Sequence, residues 1–248
     1  MQFLAGRPEG GTLSAIARAA EAPKSSVIGL LAGMVASGHL TRDDSAVYRL
    51  GPNMFSLAAQ VIGSMRLPIL LMPVLDRLMR ETGETALAGY LAPDADVLVY
   101  VAKVESTNPV RYTVPVGEHR ELYSTAMGKL LLAYMDVPRR RAYLDGHELH
   151  AYTQRTITSP ARMQKELQHI REQGLSETLD ERVVGASALA APVIGRDGRL
   201  LIGLGIAGPT ERMRASRGEH ARTLMREAQS LSKLIAHTPQ DLREAWRA

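Results

Sequence analysis

The stretch EAPKSSVIGLLAGMVASGHL, residues Glu21 to Leu40, decides the fold of the first part of the chain. Its apolar residues recur at helical spacing and predict one buried face, formed by Val27, Leu30, Leu31, Met34 and Val35. The opposite face carries only small residues, which are Ser25, Ser26, Gly29, Ala32 and Gly33. A glycine inside a helix costs about 1 kcal/mol relative to alanine. A helix that keeps two of them on its outer face is expected to approach another surface closely.

The segments on either side complete a small unit. A first helix is predicted from residue 12 to residue 20, and Pro23 suits the first position of the second helix. Gly38 suits its end, and two short strands are predicted around residues 39–41 and 47–50. The order helix, tight turn, helix and β-ribbon is that of a winged helix-turn-helix, whose second helix lies in the major groove of DNA.

Polar residues stand where such a unit would contact DNA. Lys24, Ser25 and Ser26 belong to the first turn of the second helix, which faces the bases, and Arg42 and Arg49 flank the ribbon, where phosphates would lie. The alternative is a small helical domain whose smooth face packs on another protein.

The bulk composition limits the remaining possibilities. The chain has 248 residues, enough for one large or two small domains, and its aromatic content of 4% implies an aliphatic core. The absence of cysteine excludes disulfides, thiol catalysis and cysteine-ligated zinc. No apolar run approaches the roughly 20 residues that span a bilayer, and no signal peptide is recognised, so we expect a cytoplasmic protein without a membrane partner. The net charge of +4 is compatible with a polyanionic partner but does not require one.

The rest of the chain alternates helices and strands. A connecting helix is predicted over Asn53–Met65, with Met54, Leu57, Val61 and Ile62 along one apolar stripe, and Pro68 ends it. Further helices are predicted at residues 69–80, 125–135, 138–144, 160–173 and 219–237, with Ser159 and Gly174 bounding the fourth. Strands are predicted at residues 85–91, 97–104, 111–116, 175–179, 187–194 and 200–207. Tight turns between strands, such as Gly195–Gly198, favour an α+β fold with a mostly antiparallel sheet.

Three motifs that resemble catalytic signatures fail on spacing. The sequence AMGK, Ala126–Lys129, is not a phosphate-binding loop, because that pattern requires glycine at position 123 and serine or threonine at position 130. The sequence HELH, His147–His150, has the wrong spacing for helical zinc ligands. Asp180 and Glu181 would point to opposite faces of a strand, which disfavours joint acid/base work. What remains of AMGK is a helix N-terminus, which either holds an anion through its backbone N–H groups or is an ordinary capped helix start.

Several segments together resemble the IclR family of bacterial transcription regulators over nearly the whole chain. They are APKSSVIGLLAGMVASGHL with YRLGP, then LYSTAMGKLLLAYM, HAYTQRTITSP, and GLSETLDERVVGASALAAPVIGRDGRLLIGLGIAGPTERM. The resemblance implies an N-terminal winged helix-turn-helix at residues 1–51, a linker helix at 52–67 and a GAF-like effector-binding domain at 68–248. It also implies a non-enzymatic protein without cofactor or metal, partnered by operator DNA, by a small effector, and by itself as homodimer or homotetramer.

Carried over by position, the resemblance names the site residues. The DNA-reading turn falls on Lys24, Ser25 and Ser26 with a wing from Arg42 to Arg49, and Gly29 stands where an arginine is usual. The effector pocket falls on Ala126, Met127, Gly128, Thr178, Asp180, Ala188, Gly205 and Ala207. The family usually has a full helix before the one at Thr12, where only MQFLAGRPEGG stands here.

The pocket residues predict the class of effector. The helix N-terminus at Ala126 can take a carboxylate without any charged side chain, and Met127, Ala188, Gly205 and Ala207 offer apolar space. We therefore expect a small carboxylate with an aromatic body, with Thr178 and Asp180 as polar partners, and a repressor serving aromatic catabolism. The effector, the operator and the sign of regulation remain open in the sequence, and the small residues could also pack without a cavity. The alternative is a GAF-like ligand-binding or enzymatic protein whose N-terminal unit serves dimerisation.

Overall fold

The structure is a computed structural model that describes residues 2–57, 67–93 and 95–237. It divides into two compact units, residues 1–66 and residues 67–248. The predicted linker helix starts as expected, with a helix over residues 52–57, whereas its continuation with Val61 and Ile62 lies outside the described residues. None of the helices in the described ranges is long and apolar enough to cross a membrane.

The first unit contains the predicted helix-turn-helix and ribbon, with one strand and one short helix more than expected. Its elements are α1 (Gln2–Ala5), β1 (Gly11–Thr12), α2 (Leu13–Ala19), α3 (Lys24–Ala36), β2 (Leu40–Arg42), β3 (Val47–Leu50) and α4 (residues 52–57). The strands form an antiparallel sheet in the order β1-β3-β2. The sequence gives no local signal for β1, because its partners Tyr48 and Val47 lie 35 or more positions along the chain.

The boundaries of α2 and α3 follow from local chemistry. The Thr12 side chain caps α2 by accepting a hydrogen bond from the N–H of Ala15. Pro23 is the N-cap residue of α3 rather than its first helical residue, so the helix begins at Lys24, one position later than expected. At the other end, Gly38 has a φ of +69° and its carbonyl accepts from the N–H of Asn53. The Asn53 side chain also donates to the Ser37 carbonyl at 2.8 Å, so the end of α3 and the start of α4 are tied together.

The predicted buried face of α3 is correct except at Leu30. Val27 and Leu31 are buried against Ala17, Leu40 and Tyr48. Leu30 is 66% exposed, because this small core covers only a narrow arc of the helix and Leu30 lies beside it. The small residues of the opposite face are all exposed, as the spacing predicted.

The second unit is a six-stranded antiparallel sheet with helices on both faces. Its helices are α5 (Leu67–Thr82), α6 (Ala126–Tyr134), α7 (Val137–Gly146), α8 (Pro160–Gln173), α9 (Thr210–Ala215) and α10 (Arg217–His237). Its strands are β4 (Thr85–Leu91), β5 (Val97–Val104), β6 (His119–Glu121), β7 (Ser176–Leu179), β8 (Ala186–Ile194) and β9 (Leu200–Pro209). The strand order is β6-β5-β4-β9-β8-β7, which confirms the predicted α+β class.

Alternation along β8 and β9 separates the two faces of the sheet. Leu189, Leu204 and Ile206 belong to the core under α5 and α10. Ala190 and Ala207, one position away, belong to the core under α6, α7 and α8. Because side chains of a strand alternate between faces, the face toward α6 receives small residues and the other face receives large ones.

The predicted third strand at residues 111–116 is wrong. This segment has no ladder partner, and the short strand β6 follows it at His119–Glu121. Pro115 has no N–H to donate, and the carbonyl of Tyr112 is used instead by the hydroxyl of Thr85 at 2.6 Å. Val114 is buried beneath the segment, whereas Val116 is exposed, so the burial of a strand is met only in part.

Candidate effector pocket and DNA-binding surface

A small cavity of about 40 Å³ lies between the N-terminus of α6 and the sheet of the second unit. Its walls come from β4, β5, β7, β8 and β9, the loop before α6 and the loop after β7. The lining residues are Leu87, Tyr100, Tyr112, Ser124, Thr125, Ala126, Met127, Thr178, Arg182, Val183, Ala186, Ser187, Ala188, Leu189, Gly205, Ile206 and Ala207. We call it the effector cavity.

Six of the eight residues predicted for the pocket line this cavity. They are Ala126, Met127, Thr178, Ala188, Gly205 and Ala207. Gly128 and Asp180 do not line it. A Cβ on Gly128 would lie 2.5 Å from the carbonyl oxygen of Leu122, so this glycine permits close packing of α6 on the preceding loop. A part in ligand binding stays a prediction for all eight residues.

Asp180 is used within its own loop. It has a φ of +59°, and its Oδ1 accepts from the N–H of Gly185 at 2.9 Å and from the hydroxyl of Thr210 at 2.5 Å. The hydrogen bond from Thr210 is the main cause that lowers the pKa of this carboxyl, although burial opposes it. Asp180 therefore closes the loop that connects β7 to β8 and does not offer a free oxygen to the cavity.

The Met127 side chain occupies much of the space that the glycines of β9 leave. A Cβ on Gly203 would lie 2.2 Å from Sδ of Met127, and one on Gly205 would lie 3.0 Å from its Cε. The expectation of an apolar space and the expectation of tight packing are thus both partly met. The cavity is what remains after Met127 has packed between α6 and β9.

The N-terminus of α6 presents backbone donors to the cavity. Thr125 is the N-cap residue, and its hydroxyl accepts from the N–H of Gly128 at 3.0 Å. Within the described part of the chain, no acceptor is found for the N–H groups of Ala126 and Met127. Such donors, together with the helix dipole, favour an anion.

Arg182 is a cavity residue that the sequence did not reveal. Its side chain is 20% exposed, and its Nη1 donates to Glu121 Oε2 at 2.6 Å and to Ser124 Oγ at 3.2 Å. The guanidinium lies 3.7 Å from the centroid of the Tyr152 ring. The wall of the effector cavity therefore includes a charged side chain that the sequence analysis did not name.

The carboxylate of Glu121 is held from two sides. Its Oε2 accepts from Arg182, and its Oε1 accepts from the Tyr152 hydroxyl at 2.6 Å. Burial works to raise the pKa of Glu121, but the hydrogen bond from Tyr152 and the charge of Arg182 outweigh it, so the pKa is lowered. Glu121 is thus an anion at neutral pH.

Hydroxyl groups complete the polar lining. Tyr100 and Tyr112 stand on one side, and burial raises the pKa of both phenols. Both are therefore neutral at physiological pH and can donate a hydrogen bond as well as accept one. Thr178 and Ser187 are on β7 and β8, where the Ser187 hydroxyl already pairs with that of Thr210 at 2.8 Å.

The lysine of AMGK does not line the cavity. Lys129 is completely buried, and its Nζ lies 2.6 and 2.7 Å from the two carboxylate oxygens of Glu181. Burial raises the pKa of Glu181, and the Lys129 charge opposes that effect. Asp180 and Glu181 lie in the loop after β7 rather than in a strand, and they act separately, since one closes the loop and the other binds Lys129. Among the residues that the structure describes, no cluster of His, Asp and Glu could hold a metal ion.

The first unit presents the predicted DNA-binding residues at its surface. Lys24, Ser25, Ser26 and Gly29 are exposed on α3, and a Cβ on Gly29 would meet no atom within 4 Å. Arg42 is also exposed, and its guanidinium lies 5.6 Å from the Tyr48 ring centroid. Among residues 2–57, nothing covers the outer face of α3 at Gly29.

Arg49 differs from the others because it has an acidic partner. Its Nη1 lies 2.5 Å from Asp43 Oδ2. The hydrogen bond from Arg49 is the main cause that lowers the pKa of Asp43. Asp43 neutralises part of the positive charge of the ribbon, so Arg49 offers less attraction to a phosphate than Lys24 or Arg42.

Both units of the chain match models of known protein families. A family model described as the IclR helix-turn-helix domain matches residues 1–44, and one described as the bacterial transcriptional regulator IclR C-terminal matches residues 59–233. The DNA-binding transcriptional repressor YiaJ of Escherichia coli is 30% identical over 97% of this chain and 86% of its own length.

Solved structures agree with these matches. An IclR transcriptional regulator from Alicyclobacillus acidocaldarius superposes with a TM-score of 0.82 at 26% identity and covers 93% of each chain. An IclR homolog from Microbacterium hydrocarbonoxydans, complexed with 4-hydroxybenzoate, has a TM-score of 0.74 at 20% identity and covers 89% of this chain and 92% of its own. At 20% identity the second structure supports the fold alone.

Proposed function

The chain belongs to the IclR family of bacterial transcriptional regulators, with a DNA-binding unit and a C-terminal effector domain, and on that premise we propose that its effector is a small aromatic carboxylate bound in the effector cavity. The family consists of regulators rather than enzymes, which removes the enzymatic alternative. The observation that carries the proposal is the position of Arg182 in the cavity wall, together with the N-terminus of α6.

These two groups provide an anion site. A guanidinium can form two parallel hydrogen bonds to one carboxylate, and Arg182 is largely withdrawn from water, which strengthens such a contact. Ala126 and Met127 line the same cavity, and their N–H groups at the start of α6 are donors that carry no formal charge. A carboxylate between them would compensate the positive charge that the wall carries.

The rest of the wall suits an aromatic body. Ala188 and Gly205 keep the sheet side flat, and Tyr100 and Tyr112 can donate to a ring hydroxyl. A small polar acid would leave most of the apolar surface without a contact, so it would gain less from burial than a ring. The 4-hydroxybenzoate bound by the Microbacterium homolog is a property of that protein, and here it serves as a reasonable probe.

A ring needs more space than the cavity now provides. Apolar cavities that bind benzene measure roughly 150 Å³, against about 40 Å³ here. The Met127 side chain fills the adjoining space, and methionine is unbranched with three rotatable bonds. We propose that Met127 turns away when the ligand enters, so that the ring takes the place of its thioether over Gly203 and Gly205.

The DNA-binding function is assigned to specific residues as a proposal. Lys24, Ser25 and Ser26 would contact bases and phosphates from α3, the absence of a side chain at Gly29 would allow close approach, and Arg42 would contact phosphates, with a smaller part for Arg49. The loss of an arginine at position 29 would shift readout toward DNA shape. Paired half-sites favour a homodimer or homotetramer, and a DNA-bound regulator would act in the cytoplasm, here as a repressor of aromatic catabolism genes.

Calorimetry with benzoate, 4-hydroxybenzoate and pyruvate tests the effector proposal. Both aromatic acids are expected to bind and pyruvate is expected to bind weakly. Ala188→Trp and Ala207→Leu, which fill the cavity, should abolish aromatic binding. Tight pyruvate binding without any response to the aromatic acids would refute the proposal, and aromatic binding that survives both variants would place the site elsewhere.

A further inference from the structure

The guanidinium in the effector cavity is already engaged by a carboxylate of the same chain. Nη1 of Arg182 lies 2.6 Å from Oε2 of Glu121, and the hydroxyl of Tyr152 reaches Oε1 of the same carboxylate at 2.6 Å. Arg182 also stacks on the ring of Tyr152. Glu121 thus occupies, from outside the cavity, the cation that a bound carboxylate would need from inside.

The two partners differ in their access to water. The Arg182 side chain is 20% exposed, whereas that of Glu121 is 44% exposed. Glu121 is the last residue of β6, an edge strand of three residues. Its carboxylate can therefore leave Arg182 and gain hydration in solvent, although it gives up the hydrogen bond from Tyr152. Arg182 would then keep a largely buried charge that needs another anion.

The geometry of Arg182 leaves room for that other anion. Its hydrogen bonds within the described ranges all use Nη1, so Nε and Nη2 remain as donors there. A carboxylate that arrived while Glu121 stayed would share one guanidinium with a second anion, and like charges at such a distance repel. Ligand binding and the contact with Glu121 are therefore in competition.

We propose that Glu121 is an internal competitor that sets the affinity and charge selectivity of the effector site. An incoming carboxylate takes over Arg182, and Glu121 moves into solvent. A neutral aromatic ligand cannot make this exchange, because it offers Arg182 no charge in return. This role rests on the proposed effector class. It adds that a carboxylate of the chain itself, Glu121, competes with the ligand carboxylate for Arg182.

A purely structural role for Glu121 predicts the opposite result. If Glu121 served only to orient Arg182, its removal would allow the guanidinium to adopt several conformations and would weaken ligand binding. Competition predicts that loss of the Glu121 charge tightens binding of an acid and leaves binding of the matching amide unchanged. The sign of the effect therefore separates the two roles.

The test is calorimetry on the full chain with benzoate and benzamide for three proteins: the parent, Glu121→Gln and Glu118→Gln. Glu118 is the matched control, because it pairs with Arg120 at 2.5 Å near the same strand and does not line the cavity. Glu121→Gln should bind benzoate up to about fivefold more tightly, the size expected when one partly exposed competing ion pair is removed. Benzamide binding and the Glu118→Gln protein should be unchanged.

Each other outcome counts against the proposal. Benzoate binding that Glu121→Gln weakens or leaves unchanged overturns the competitor role and leaves the effector class intact. Equal gains for benzoate and benzamide overturn it as well, since they would report a wider cavity. If none of the three proteins binds benzoate, the proposed effector class is wrong, and the competitor role of Glu121 is wrong with it. Glu121→Ala must give the same sign, which keeps the test valid should the glutamine protein fold poorly.

Discussion

The Nζ of Lys129 lies 2.6 Å from Oε1 of Glu181, and the lysine is completely buried. The two residues stand 52 positions apart, on α6 and in the loop after β7. Hydroxyls of Thr153 and Thr156 hold the backbone carbonyls of Asp180 and Glu181 at 2.7 and 2.6 Å. This ion pair therefore anchors the loop that places the next residue, Arg182, in the wall of the effector cavity.

Breaking the pair from one side should destabilise the second unit strongly. Glu181→Gln leaves Lys129 buried with Glu166 at 4.0 Å as its nearest remaining acid, and removal of one partner of a buried ion pair costs about 3–5 kcal/mol. Adding Lys129→Met to Glu181→Gln removes both charges and should recover most of that loss. Urea denaturation followed by circular dichroism measures the free energy of unfolding.

The matched control for that prediction is Glu177→Gln. Glu177 pairs with Arg217 at 2.8 Å, but the arginine side chain is 53% exposed. Exposed pairs contribute at most about 1 kcal/mol, so this change should be nearly silent. An equal loss of unfolding free energy in Glu177→Gln and Glu181→Gln would show that the buried pair contributes no more to stability than the exposed pair.

The hydroxyl of Thr210 should control the pKa of Asp180. The hydrogen bond from Thr210 is the largest contribution that lowers this pKa below its ordinary value of 3.8, so Thr210→Val should raise it toward 3.8. Because the pKa of Asp180 is lower in the folded state than in the unfolded chain, its carboxylate stabilises the fold at pH values above 3.8. This contribution is lost as the pH falls through the folded-state pKa. Thr210→Val should reduce the size of that loss.

Carboxyl ¹³C NMR titration, with the Asp180 signal identified through Asp180→Asn, checks this prediction. Thr223→Val is the control, because Thr223 is a buried threonine on α10. An Asp180 pKa that is the same in the parent and in Thr210→Val would contradict the assigned hydrogen bond.

The turn between α2 and α3 should become more stable with glycine at position 21. Glu21 has a φ of +48°, and a left-handed conformation costs a residue with a Cβ about 1–2 kcal/mol. Glu21→Gly should raise the melting temperature of the first unit by removing that strain. Ala20→Gly is the adjacent control, since Ala20 has a φ of −89° and gains nothing from glycine.

Calorimetric melting of the two variants provides the comparison. Ala20→Gly should lower the melting temperature, because glycine loses more conformational entropy on folding. A loss of similar size in both variants would show that the left-handed turn at Glu21 carries no strain.

Lys24 should matter for operator binding through a phosphate. Among the described residues it has no acidic partner at ion-pair distance, unlike Arg49. Lys24→Ala should weaken binding to a fragment from the chain's own upstream region and reduce the slope of log affinity against log salt by about 0.9. Fluorescence anisotropy over a salt series measures it, with Lys165→Ala on the exposed side of α8 as control. An unchanged slope in Lys24→Ala would exclude the proposed contact.

Local features made most of the fold predictable. The cap Ser159, the left-handed Gly174 and the turn Gly195–Gly198 each carry their signal within a few residues, and the structure has all three. The strand at residues 111–116 was predicted wrongly, because Pro115 has no N–H for a ladder and the Tyr112 carbonyl accepts from the Thr85 hydroxyl instead.

The pocket residues were predicted through the family resemblance carried over by position. Ala188 and Gly205 were assigned in this way, and both line the cavity. Arg182 could not be assigned, because its direction depends on the left-handed Asp180 and on an ion pair that joins residues 129 and 181. Such contacts between distant positions leave no periodic trace in the sequence.

We propose that an aromatic carboxylate in the effector cavity changes the affinity of the chain for its operator. Fluorescence anisotropy at fixed salt measures the affinity of the full chain for its upstream DNA fragment, with and without saturating 4-hydroxybenzoate. We expect a change of about 5- to 150-fold, the usual size of a coupling between two sites, which Arg182→Gln removes and 4-hydroxybenzamide does not produce. An operator affinity that is the same with and without the acid, while calorimetry shows that the acid binds, would contradict it.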